Sequence, residues 1–302
     1  MTTLKIALDW TPNINHIGFF IAQELGFYQE NGIQLKIINP LDDLYELTPG
    51  KKLELDITDF AIAPFETVIS LNNKKNKVDA IAVFAILQED ISSIASLKSN
   101  NLTSPKLLDD KIYASYKARY EDNIVKELVK SDGGSGNIKI TYPDKLGIWN
   151  TLIDGEADAT WIFDNWEGVE AKGKNIELNT WKLKDSGIPY GYSPVIIAKK
   201  TNLTKFKTEY ANFVKATQKG FLYASKHEAE AVTILKKHLS EPEKININIS
   251  EALKVTEMHF GNIETCGSMN SERVSLFLDW LIEKQLEDAK ILNQHLFTNE
   301  LL

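Results

Sequence analysis

Cysteine is almost missing from this chain: 302 residues contain one, Cys266. A single thiol excludes an internal disulfide and every paired-cysteine zinc or redox motif, and a lone cysteine is more often a small core hydrophobe than a nucleophile. Positive charge is short as well. Lys and Arg number 34 against 42 Asp and Glu, a formal net charge of −8, which counts against nucleic-acid and anionic-membrane partners because both need clustered cations. No apolar run reaches the roughly 18 to 20 residues of a spanning helix, and the longest, Ala80 to Leu87, has strand length. No transmembrane segment is expected. The start, MTTLKIALDW, lacks the basic segment and apolar core of a secretory signal. The expected location is therefore cytoplasmic if the chain is complete as given, and periplasmic or otherwise extracytoplasmic if a signal was removed.

The five histidines, His16, His227, His238, His259 and His295, are scattered, and none forms HExxH or a pair at ligand spacing with carboxylates. No metal site and no cofactor are expected. The glycine cluster SDGGSGN at residues 131–137 follows a helical stretch and lacks a following Lys-Ser/Thr, so it reads as a helix-ending turn and not as a phosphate loop. Phosphate handling is not expected, since no glycine-rich helix start with Lys or Arg is present.

What is present is an α/β pattern. The length admits one large domain or two of about 100 to 200 residues each. Strand-like segments at Leu4 to Asp9, Gln34 to Ile38, Asp56 to Ile62 and Val78 to Ile86 alternate with helical ones at Ile14 to Gln29 and Pro64 to Asn72. The polar stretch SLKSNNLTSPKLLDD, residues 96–110, reads as the passage to a second lobe. There the pattern repeats, with strands at Lys111 to Ser115, Ile138 to Tyr142 and Ala157 to Phe163 and helices at Asp122 to Lys130 and from Trp149 and Trp166 onward. Ser193 to Ala198 reads as a strand returning to the first sheet, and the remainder as helices. The expected division is residues 1–90 for the first lobe, 91–190 for the second, and 191–302 for the return with its C-terminal helices.

Two segments repeat one design. LDITDFAIAPFET (55–67) and ADATWIFDNWEG (157–168) each run from an aspartate through β-type residues to an aromatic residue followed by glutamate. Phe65-Glu66 and Trp166-Glu167 would each open a helix at the carboxyl end of a strand, where open α/β sheets bind ligands. The loop LDWTPNINHIG (8–18) adds Trp10, Asn13 and His16, and spacing alone leaves the His16 ring to a ligand or to a backbone group. Tyr116, Tyr120, Trp149, Tyr190 and Tyr192 fall where two lobes would face each other. With Glu66, Glu167 and Asn13, these aromatic residues would suit a flat heteroaromatic molecule.

The segment LDWTPNINHIGFFIAQELGFYQENGIQLKI, with GEADA (155–159) and GIPYGYSPVIIA (187–198), resembles the pyrimidine-precursor binding proteins of the NMT1/THI5-like family. The resemblance covers most of residues 4–200. It implies the type II periplasmic-binding-protein fold, two α/β lobes with a ligand cleft between them. It also implies a small-molecule pyrimidine ligand, a thiamine precursor stacked on aromatic residues, and an ABC transporter permease as partner. Trp10, Asn13 and His16 carry over by motif; Glu66, Tyr116, Trp166, Glu167, Tyr190 and Tyr192 are placed by local pattern as further ligand-binding residues. Trp10 is expected to stack on the ring, with Trp166, Tyr190 or Tyr192 over its other face.

The same family contains hydroxymethylpyrimidine phosphate synthase, which consumes its own histidine and pyridoxal phosphate in an iron-dependent reaction. The matching segment here, DFAIAPFETV (59–68), has neither the lysine nor the histidine, and the enzyme's cysteine-rich motif is absent. Without an amine for the Schiff base or an imidazole to donate ring atoms that mechanism cannot run, so a binding protein and not an enzyme is expected. A synthase-like enzyme and a cytosolic pyrimidine-sensing protein are the alternatives.

Overall fold

Ten strands form two five-stranded sheets of the same topology in the computed structural model, which describes residues 1–302. They are β1 (Thr2–Ala7), β2 (Ile33–Ile38), β3 (Phe60–Ala63), β4 (Ala80–Ala85), β5 (Ser92–Leu97), β6 (Ile112–Ala114), β7 (Lys139–Thr141), β8 (Ala159–Phe163), β9 (Leu178–Trp181) and β10 (Val195–Lys199). The first sheet has the order β2-β1-β3-β10-β4 and the second β7-β6-β8-β5-β9. The fourth strand of each runs antiparallel to its neighbours, β10 between β3 and β4 and β5 between β8 and β9. The remaining pairs are parallel.

In both sheets the antiparallel strand is the first one after the chain has crossed from the other lobe. The crossovers are therefore residues 86–91 and 182–194. This corrects the expected passage at residues 96–110, a stretch that begins inside β5 and continues within the second lobe. The misreading has a physical cause: SSIASL looks polar, yet Ser92, Ser93 and Ser96 are buried. Their small side chains fit under a closely packed layer, and a serine run carries no alternation to betray it. The four-residue edge strand β9 was too short for any periodic signal.

Other boundaries moved for local reasons. The helix expected over Ile14 to Gln29 is a 3-10 turn (Ile14–His16) followed by helices Ile17–Glu24 and Phe27–Glu30, interrupted at Gly26 with φ 78°. The strand expected from Asp56 starts only at Phe60, because Asp56 turns the chain at φ 57°.

Two features of the C-terminal helices position the lobes. Helix Lys207–Ala224 crosses Ile17–Glu24 where Gly18 and Gly220 meet: a Cβ on Gly220 would lie 2.0 Å from the Gly18 carbonyl oxygen. Backbone cannot yield as a side-chain tip can, so Gly220→Ala should destabilise the protein by about 3 kcal/mol or more. Gly147→Ala, whose Cβ meets nothing within 4 Å, should be near neutral. Urea midpoints of the two variants check this.

Helix Ser271–Glu283 spans the crossovers. Arg273 donates to the Gln88 carbonyl in the first crossover and, at 2.9 Å, to the Gly191 carbonyl in the second. Phe277 meets Tyr190 at 5.5 Å and Tyr120 of the second lobe at 6.3 Å between ring centroids.

Candidate functional site

The loop after β1 is held by its own polar side chains. Asn13 Oδ1 accepts from the Asn15 N–H at 2.9 Å, and Asn13 Nδ2 donates to the Thr11 carbonyl at 3.0 Å. His16 Nδ1 accepts from the Asn13 N–H at 3.3 Å, which leaves the proton on Nε2 to be donated to Asp9 Oδ1 at 2.8 Å. His16 is fully buried. Asn13 and His16 thus use their hydrogen-bonding atoms to shape the loop, and what the loop presents is Trp10. Its indole lies edge-on to Tyr45 at 6.2 Å and, across the lobes, to Tyr116 at 5.7 Å.

Glu66 and Glu167 occupy matching places. Each is the first residue of the helix after a parallel strand, Glu66–Asn72 after β3 and Glu167–Gly173 after β8. Both are buried, at 2% and 8% exposure. Burial raises the Glu66 carboxyl to about 7, although the Tyr190 hydroxyl, donating to Oε2 at 2.9 Å, favours its charged form. Burial likewise raises Glu167 to about 7 against a hydrogen bond from the Phe163 N–H at 2.9 Å. Each lobe therefore contributes one carboxyl able to donate or accept a proton near neutral pH.

The nine residues singled out from the sequence separate on this geometry. Glu66 and Tyr190 come into contact, as do Trp10 and Tyr116, and the Tyr116 hydroxyl lies close enough to Glu167 to feel its charge. Trp166 is instead packed, 6% exposed, into the core cluster of the first lobe and its C-terminal helices. Tyr192 takes the Asn270 N–H on its hydroxyl at 2.9 Å and lies beneath the Arg273 guanidinium at 4.1 Å. Both residues join lobes and crossovers together.

Four further residues, not singled out by the sequence, hold or adjoin these side chains. Trp161 lies 5.1 Å from Tyr190, and the Tyr45 hydroxyl donates to the Asp9 carbonyl. Glu121 is 2% exposed and accepts from the backbone of the turn after β6. Asn165, fully buried, donates from Nδ2 to Asn15 Oδ1 at 2.8 Å and to Thr256 Oγ1 at 2.9 Å, so it ties the second lobe to two elements of the first. The signal for Asn165 was present in FDNWEG, between the strand end and Glu167; nothing in the sequence marked Asn15 as its partner 150 positions away.

With the lobes in contact, the aromatic residues fill the space between them. Of two cavities, the smaller adjoins this cluster through Tyr190 and the larger contains none of its residues. One of about 270 Å³ at the crossovers is lined by Asp90, Lys182, Tyr190 and Arg273, and an open groove of about 710 Å³ runs between helix Glu167–Gly173 and β9.

Two sheets of this order, two crossovers and a cluster of aromatic and carboxyl groups at the facing strand ends define a two-lobed protein of the type II periplasmic-binding-protein fold. The ligand-binding component of an ABC-type import system from Staphylococcus aureus has the same fold, with a TM-score of 0.71 at 15% identity over 100% of this chain and 98% of that one. The family model described as NMT1/THI5 like matches residues 13–231, and the chain belongs to that family. Among its relatives, the formylaminopyrimidine-binding protein of Halalkalibacterium halodurans is 21% identical over 78% of this chain and 70% of its own length. The 4-amino-5-hydroxymethyl-2-methylpyrimidine phosphate synthase of Legionella pneumophila is 25% identical over 78% and 74%.

Proposed function

We propose that this chain binds a small aminopyrimidine thiamine precursor, of the formylaminopyrimidine or hydroxymethylpyrimidine type, between its lobes and carries it without transforming it. The observation that carries the reading is the pair Glu66 and Glu167: one buried carboxyl from each lobe, both raised to about 7, beside aromatic rings. An aminopyrimidine offers amino N–H donors and weakly basic ring nitrogens. A carboxyl near neutrality accepts from the first and shares a proton with the second. Trp10 and Tyr116 supply ring faces for stacking.

Relatives of this chain bear both a binding protein's name and a synthase's name. The carrier reading is favoured because residues 59–68 offer neither lysine nor histidine and both His16 ring nitrogens are engaged. Cys266 is buried, its thiol pushed up to about 12, outside the range of a ready nucleophile. Hand-over to an importer's permease, outside the cytoplasm, completes the proposal.

Calorimetry with aminopyrimidines, thiamine and pyridoxal phosphate tests it. Aminopyrimidine should bind, and Trp10→Ala should weaken binding roughly 30-fold or more with little change in melting temperature, as for a stacking residue at the centre of a site. If no pyrimidine binds and pyridoxal phosphate develops a Schiff-base absorbance, the carrier reading fails.

A further inference from the structure

β6 and the turn after it aim three donors at one carboxyl, a hydroxyl from the strand and two backbone amides from the turn. Glu121 Oε1 accepts from the Tyr113 hydroxyl at 2.9 Å and from the Tyr116 N–H at 3.0 Å, and Oε2 accepts from the Ala118 N–H at 3.1 Å. Glu121 begins the eleven-residue helix Glu121–Ser131 and is 2% exposed. Backbone N–H groups converging at a helix start form a concavity suited to an anion. In this chain a covalently attached carboxyl already fills it, its pKa raised by burial against the pull of these donors.

The same turn belongs to the cleft. Tyr116 supplies both an N–H to Glu121 and the ring that meets Trp10, and Glu66 lies near enough for the Glu121 charge to contribute to its raised pKa. Two lysines flank the turn without an ion-pair partner: the Lys145 ammonium lies 5.3 Å from the centre of the Tyr45 ring, and that of Lys117 lies 5.3 Å from the centre of Tyr142. Neither forms an ion pair with Glu121, whose carboxyl is held by the hydroxyl and the two amides.

We propose that Glu121 is a specificity-determining residue: its carboxylate fills the amide nest that would otherwise hold a ligand phosphate, so the cleft takes neutral or protonated heterocycles and rejects their phosphate esters. The inference rests on the reading of the cleft as a pyrimidine site. A phosphate entering here would have to displace a tethered carboxyl that holds its three donors without any cost of association. It would also meet the carboxyls of Glu66 and Glu167. Specificity of this kind comes from a built-in repulsion as much as from an attraction.

The probes are inorganic phosphate, 4-amino-5-hydroxymethyl-2-methylpyrimidine and the phosphate ester of that alcohol. Wild-type protein should show no saturable thermal stabilisation by inorganic phosphate and should bind the ester at least ~100-fold more weakly than the alcohol. Glu121→Ala vacates the nest, and it should gain saturable stabilisation by phosphate and narrow that ratio to about 10-fold or less. Glu121→Gln, whose amide still occupies the space, should gain neither, which separates filling of the nest from mere loss of charge. Saturable phosphate stabilisation of wild type, or an ester bound as tightly as the alcohol, overturns the proposal. A folded Glu121→Ala that gains no phosphate response overturns it too. If Glu121→Ala does not fold, the two wild-type measurements decide. Failure of wild type to bind either pyrimidine would remove the functional reading above, while the phosphate measurements would still judge Glu121 independently.

Discussion

Replacing Glu66 and Glu167 together by glutamine is expected to give a protein more stable than wild type at pH 8 and almost unable to hold its ligand. Burial raises both carboxyls from 4.5 to about 7. Between those values the folded protein retains protons that the unfolded chain has released, so stability falls as pH rises through the window from about 4.5 to about 7. Below it both states are protonated and the groups contribute no difference. Above it the penalty is complete, about 3 kcal/mol for each group at 1.36 kcal/mol per pH unit. Glutamine keeps the shape and can still accept from the Tyr190 hydroxyl or the Phe163 N–H, but it carries no charge to desolvate. Urea unfolding should therefore show the double variant ahead by about 3 kcal/mol or more at pH 8 and level with wild type near pH 4.5. Ligand affinity, measured by calorimetry at pH 7, should drop roughly 100-fold or more, because two charge-assisted bonds to the heterocycle are replaced by neutral ones that cannot share its proton. A wild-type stability profile flat from pH 5 to pH 8, or undiminished affinity in the variant, would take the pair out of this role.

Asn165→Ala is expected to have the second largest effect, and to act on lobe closure. The Asn165 side chain, buried in the second lobe, donates to Asn15 in the first lobe's loop and to Thr256 in helix Ile249–Thr256. Both bonds exist only while the lobes touch. Removing the amide leaves Asn15 Oδ1 without its donor in a site closed to water, at about 1 to 3 kcal/mol for each lost partner. That penalty falls on the closed arrangement and not on either sheet. Affinity should drop by roughly 100-fold, while the melting temperature of the ligand-free protein moves by only a few degrees. Small-angle X-ray scattering should find a larger radius of gyration for the ligand-free variant than for ligand-saturated wild type. Equal radii with equal affinities would show that Asn165 does not govern closure.

The two carboxyls and Asn165 differ in how far the sequence marks them. Glu66 and Glu167 were visible because the two lobes repeat one strand-to-helix design, and repetition of a design is a property of sequence. Trp10 was visible because a strand followed by a loop with proline and asparagine presents whatever aromatic residue it carries. Asn13 and His16 were visible in the same loop, but their role was not: whether a polar side chain bonds outward or into its own turn depends on a few backbone angles. Here Asn13 caps the turn and His16 bridges Asn13 to Asp9.

Tyr192 and Trp166 mark a different limit. Both are aromatic, both adjoin other candidate residues in the sequence, and both are packed into seams, Tyr192 under Arg273 and Trp166 in the first lobe's core. Arg273 and its two carbonyl partners are separated by 185 and 82 positions, so no local pattern could announce that an arginine in a C-terminal helix pins both crossovers.

What the sequence by itself determined was the α/β class, the doubling of the lobes, the pair of carboxyls at strand ends and the absence of a lysine or histidine at residues 59–68. All of these follow from short-range periodicity or from residue identity. What only the tertiary structure decided was the placing of β5 in the second sheet, the burial that carries Glu66 and Glu167 to about 7, the filling of the amide nest by Glu121, and the latch at Asn165. Each of these depends on desolvation or on contacts between residues distant in the chain, and neither is encoded in spacing along it.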